Sequence, residues 1–181
     1  MKIARALATL VFASMPLTMS SCLTTSPQYA DIEIEASADS KFNFEAYKTY
    51  AWAAAVAAVN DPDGTWTEPE LDLAAEIVFL TNREMRDRDM SEVAESPDIL
   101  LMYAVGVDMK SLDVVATSED GTEELQEVPK GAVAILMIDP ASRRVMWVGS
   151  ATANLAEDPT MEESKQRLDY AISKIFDEYG K

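Results

Sequence analysis

Apolar and polar residues alternate near the start of the domain: Ile32, Ile34 and Ala36 against Asp31, Glu33 and Glu35. A period of two predicts a strand with one face buried. Phe42, Phe44 and Tyr47 follow, then Lys48-Thr49-Tyr50-Ala51-Trp52, a second strand with Tyr50 and Trp52 on one face. Residues 53–59 are Ala-rich and fit either strand or helix. Asn60-Asp61-Pro62-Asp63-Gly64 is a turn by composition. Residues 70–88 read as a helix, with Leu71, Ala75, Val78 and Met85 on its apolar stripe beside Ala74 and Ile77. Acids (Glu68, Glu70, Asp72) cluster at its start and Arg83, Arg86 and Arg88 at its end, matching the helix dipole.

Residues 99–109 carry no charge until Asp108, which predicts a central strand covered on both faces. Residues 112–117 form a further strand, and Asp120-Gly121 can turn a hairpin back through Leu125 and Val128; an acidic loop is the competing reading. Residues 131–139 read as a second buried strand, 140–143 as a turn and 144–153 as the return. Thr160 and Glu163 have capping-box spacing. Leu168, Ile172, Ile175 and Tyr179 then mark the face of a last helix, which Gly180 ends. The order predicts an α+β fold: a mostly antiparallel sheet of about five to six strands with two helices packed on one face.

The first residues follow a different logic. Lys2 and Arg5 precede an apolar run over residues 6–17, too short to span a bilayer, and then the small residues Ser20 and Ser21. This is the layout of a secretory signal peptide. The only cysteine, Cys22, closes it. Met19-Ser20-Ser21-Cys22 resembles the bacterial lipoprotein box, with Met19 where Leu is usual. That resemblance implies cleavage between Ser21 and Cys22, a thioether-linked diacylglycerol, and a further acyl chain, such as palmitate, on the new amino terminus. Two or more chains anchor stably where one does not. Leu23 rather than Asp after the cysteine resembles an outer-membrane address. The chain then divides into a signal peptide (1–21), the acylated Cys22 with a polar tether (22–30), and one domain (31–181).

Charge narrows the partners. The 181 residues include 32 Asp+Glu against 15 Lys+Arg, a net charge of −17, and losing Lys2 and Arg5 makes the remainder more negative still. Such a surface does not neutralise phosphates, so nucleic acid is not expected. Anionic headgroups repel it too, so the membrane is reached through the lipid on Cys22 alone.

Lys48-Thr49-Tyr50-Ala51-Trp52 begins a longer pattern. Pro97-Asp98-Ile99-Leu100-Leu101 follows, then Gly131 through Ile138-Asp139, Trp147-Val148-Gly149 and residues 168–176. In this order and spacing the chain resembles the bacterial lipoprotein family catalogued as domain of unknown function 4136, over about residues 42–179. Two positions depart from the family pattern: Arg88-Asp89-Met90 stands where Lys-Gly-aromatic is usual, and Val148 where Arg is usual. The resemblance implies an envelope location and no particular reaction.

Reactive groups are few. The chain has no His, and Cys22 is assigned to lipid, so the usual nucleophile–base pairs are missing. Ser164 and Lys165 are adjacent and do not share a helix face. Asp61, Asp63, Gly64 and Glu70 fall at EF-hand positions, but Val59 takes the first ligand position; Ser118, Asp120, Gly121 and Glu127 repeat the coincidence with Ala116 there. Neither loop is assigned a metal, and no cofactor is expected. Trp52 and Trp147 fall in strand patterns and are assigned to the core. Trp66, in a Pro/Asp/Gly loop, is the candidate ligand contact. The expectation is a non-enzymatic, outer-membrane-anchored lipoprotein whose periplasm-facing domain binds an envelope protein. The alternative is a carrier or receptor for a small apolar or glycan ligand in a pocket between sheet and helices.

Overall fold

The computed structural model describes residues 27–116 and 123–180. A single 3-10 turn, Pro27–Tyr29, leads into strand β1 (Glu33–Ala38). The other strands are β2 (Thr49–Asn60), β3 (Ser91–Glu92), β4 (Ile99–Asp108), β5 (Leu112–Ala116), β6 (Glu123–Glu127), β7 (Lys130–Ile138) and β8 (Val145–Asn154). The helices are α1 (Leu73–Arg86) and α2 (Met161–Asp177). Six strands form one sheet in the order β1-β8-β7-β4-β2-β3, and β5 and β6 form a separate antiparallel hairpin. The turn of that hairpin, predicted at Asp120-Gly121, lies outside the described residues.

The sheet is mixed, which corrects the mostly antiparallel expectation. β1/β8, β8/β7 and β7/β4 are antiparallel, whereas β4/β2 and β2/β3 are parallel. The cause is the connection. α1 lies between β2 and β4 in the chain and carries it back along the sheet, so β4 starts at the end where β2 started. The Ala-rich residues 53–59 continue β2 after a bulge between Trp52 and Ala54.

Register sorts the side chains into two faces. Trp52, Leu101, Met137 and Trp147 stand in one row across β2, β4, β7 and β8. Both helices cover this face. On α1, Asn82 Oδ1 accepts from Tyr50 Oη at 2.9 Å and from Trp52 Nε1 at 3.0 Å. On α2, Ile172, Ile175 and Phe176 pack, wholly buried, in one cluster with Trp147, Ile135 and Met137. The next row, Met102, Leu136 and Val148, turns to the opposite, uncovered face and is half-buried. Among the described residues β4 is therefore central but covered on one face only, unlike the two-sided burial its apolar run predicts.

Local chemistry sets the helix ends. Asp72 caps α1 by accepting from Ala75 N. Thr160 and Glu163 form the predicted capping box on α2. Beyond α1 the chain closes with Met90 N donating to Met85 O at 3.0 Å, and Asp89 takes φ +57°. This is the left-handed closure that glycine ordinarily supplies, here adopted by an aspartate.

Candidate functional site

The shared motifs are occupied in holding the fold together. Asp98 Oδ2 accepts from Lys48 N (2.9 Å), Thr49 N (2.8 Å) and Thr49 Oγ1 (2.8 Å), while Asp98 N donates to Thr49 Oγ1. This lashes the start of β4 to the start of β2. The backbone donors of Lys48, and then the Thr49 hydroxyl, hold the Asp98 carboxyl below the usual carboxylate range. Asp139 ties the β7–β8 turn, accepting from Ala141 N at 2.7 Å and Ser142 N at 3.3 Å. Gly149 lies under α2: a Cβ there would meet Ile175 Cγ2 and the Trp147 ring, each at 2.5 Å. Asp98 and Asp139 thus each carry a structural role in the motifs.

The ionic cluster between the helices is equally self-contained. The buried Glu84 carboxylate accepts from Arg83 (2.8 Å), Arg88 (2.9 Å) and Ser173 (3.2 Å). Arg83 also reaches Asp169 at 2.6 Å, and Arg88 donates to Phe176 O and lies over the Phe176 and Tyr179 rings. Hydrogen bonds to Asp169 and then Glu84 hold the Arg83 guanidinium above its ordinary pKa. Every member has a partner inside the protein, as a structural cluster requires.

Ser21 and Cys22, the predicted cleavage and lipidation residues, lie outside the described residues. The chain enters the described domain through a clamp a few residues later. Arg167 donates to both Asp31 oxygens (3.0 and 2.6 Å) and also to Gln28 O. Tyr29 stacks on Tyr170 with centroids 4.3 Å apart. Burial disfavours ionised Asp31, but the Arg167 guanidinium and the amide donors outweigh it and hold the carboxyl below its usual range.

Trp66, the predicted contact, is half-buried. Its loop is organised by Asp61, whose carboxylate accepts from Trp66 N at 2.9 Å and Thr65 N at 3.1 Å. Asp63 pairs with Lys110 at 2.6 Å. Among the described residues, no group of His, Cys, Asp and Glu is arranged to hold a metal ion. Nor is any helix among them long and apolar enough to cross a membrane.

Shallow depressions mark the described surface. One, of about 340 Å³, lies beside the clamp among Tyr29, Gln166, Tyr170 and Lys174. Another, of about 410 Å³, lies beside Glu35, Ser37, Val148 and Ser150 on the β1/β8 side of the open sheet face. Between sheet and helices the space is filled by wholly buried side chains, Trp147, Ile135, Met137, Ile172 and Phe176 among them. Sequence reasoning missed two exposed features: Phe79 on α1, 59% exposed, and the uncharged outer part of β2, where Val56 is 50% exposed. Their signal was present as apolar residues, but which face each occupies depends on the tertiary arrangement.

The chain belongs to the family described as "domain of unknown function (DUF4136)", whose profile matches residues 34–179. It is similar in fold to a DUF4136 family protein of Bacteroides thetaiotaomicron VPI-5482 (TM-score 0.52, 11% identity), covering 81% of this chain and 95% of that one. It is also similar to a PDZ domain protein of Parabacteroides distasonis ATCC 8503 (TM-score 0.52, 18% identity), covering 82% of this chain. This chain spans only 36% of that protein's length. At these identities the likeness is one of fold. No protein of curated function matches the sequence.

Proposed function

We propose that this protein is a non-enzymatic lipoprotein of the outer membrane, acylated on Cys22, whose periplasm-facing domain binds another envelope protein through the open face of its sheet. The observation that carries the binding role is the uncovered row Met102, Leu136 and Val148, flanked by Leu100 and Ile138, on a protein whose polar motifs are consumed by its own fold. A contiguous apolar surface on an otherwise acidic molecule is what a protein partner covers. The anchor rests on Cys22 following Met19-Ser20-Ser21 at the end of the basic-then-apolar leader.

Two measurements test the halves separately. Intact-mass analysis of the membrane-extracted protein is expected to show the chain beginning at Cys22 with more than one acyl chain. An unmodified Cys22, or a retained leader, removes the anchor. Met102→Glu with Leu136→Glu, in the same membranes, is expected to leave the acylation of Cys22 unchanged and abolish co-purification of the envelope partner. An unchanged set of co-purifying proteins removes the binding face.

A further inference from the structure

Among the described residues, β2 has a strand on both sides only at its first two residues: β3 pairs with Thr49 and Tyr50, and from Ala51 to Asn60 the strand pairs with β4 alone. Residues 53–60 are all exposed, and no residue from Thr49 to Asn60 is charged. A long, uncharged edge of this kind is a template for another strand. The opposite edge of the sheet is guarded: β1 is half as long and carries the exposed Glu33 and Glu35.

The backbone of the open edge has a definite phase. Asn60 O accepts from Met109 N, on the β4 side, whereas Tyr50 O faces β3 and accepts from Val93 N. In a paired strand successive residues turn their N–H and C=O groups to alternate sides, so beyond the bulge Ala55, Ala57 and Val59 offer theirs outward. This set is symmetric about Ala57.

We propose that β2 pairs antiparallel with β2 of a second copy of this chain, about a two-fold axis at Ala57, joining two sheets into one. Ala55 then lies opposite the partner's Val59, and Ala57 opposite the partner's Ala57, with about six backbone hydrogen bonds. On the other face Val56 meets the partner's Ala58. Each Val has an Ala opposite it, so the pairs fit without crowding. Asp61 falls opposite the partner's Ala53, so no acid opposes an acid. The self-complementary Val/Ala register is what points to a second copy, and the net charge of −17, which repels another copy over most of the surface, restricts the meeting to this uncharged strip. The contact is small and the dimer correspondingly transient. It does not depend on the open sheet face or on acylation of Cys22.

The test uses the full chain in its native membranes. Ala57→Cys treated with a short bis-maleimide is expected to give a band of twice the chain mass, well above the wild-type background from Cys22. Glu35→Cys on β1 is expected to give none. Adding Ala55→Glu and Val59→Glu to Ala57→Cys sets carboxylates face to face and should remove the band. Ala55→Lys with Val59→Glu in the same background should restore it, with circular dichroism unchanged throughout. No band from Ala57→Cys, a band of another mass, or indifference to the charge variants overturns the proposal. So does a ladder when Ala57→Cys and Glu35→Cys are combined, which would mean head-to-tail β2–β1 pairing.

Discussion

Thr81 is a polar residue in a place that gives it nothing to do. It is wholly buried on α1, and its Oγ1 has no hydrogen-bond partner among the described residues. A buried, unpaired hydroxyl costs stability, and a methyl of the same shape does not. Thr81→Val is therefore expected to raise the unfolding free energy by about 1 kcal/mol, read from urea denaturation; a loss would mean that the hydroxyl has a partner. Asp89 poses the complementary case. At φ +57° it holds a conformation that glycine adopts more easily, so Asp89→Gly should stabilise by about 0.5–1 kcal/mol in the same assay. Gly149→Ala should do the reverse, by about 1–3 kcal/mol, because its Cβ would meet Ile175 and Trp147 at 2.5 Å. At this scale the sequence spoke unevenly. The Thr160–Glu163 cap was legible because its partners lie three residues apart. Asp98 was legible only as a motif, since its partners lie 49 and 50 residues away.

Among the elements, α2 matched its predicted stripe and α1 did not fully. The buried positions of α1 are Ile77, Leu80, Thr81, Glu84 and Met85, whereas Ala75 is exposed. Two of those five are polar, so hydropathy alone finds Ile77 and Met85 but misses Thr81 and Glu84. Glu84 sits there because Arg83, Arg88 and Ser173 satisfy its carboxylate, a pairing with α2 that no local period encodes. The strands failed in a different way: β2 and β4 were each recognisable, but their relative direction depends on where α1 returns the chain. The N-terminal clamp carries a prediction at this scale. Asp31 titrates below its ordinary value in the folded protein, so its contribution is complete above about pH 4 and is lost as pH falls through the lowered folded value. Acid should therefore expose the segment around Tyr29 to proteolysis, and Arg167→Ala should expose it at neutral pH with the rest of the domain intact. A segment equally protected in the variant would show that Tyr29 stacking on Tyr170 suffices.

At the scale of the whole molecule, the governing quantity is the excess of acid. With 32 Asp+Glu and 15 Lys+Arg, the acids outnumber the cations by 17. The ion pairs that do form are mostly at the surface, such as Lys110 between Asp63 and Glu127, and exposed pairs contribute little. Two salt effects therefore compete. Screening weakens these pairs, which lowers stability, and it weakens the repulsion among the remaining acids, which raises it. The second should win, because the repulsive terms outnumber the attractive ones and act over longer distances. Raising sodium chloride from about 0.02 to 0.3 M shortens the screening length from roughly 20 to 6 Å. The thermal midpoint is expected to rise by about 3–6 °C over that range, with most of the change below about 0.1 M, where screening first reaches the spacing between surface charges. A midpoint that falls with salt would mean that the Lys110, Arg167 and Glu84 pairings outweigh the repulsion. The acidic surface would then be a stabilising network rather than a cost the core must overcome.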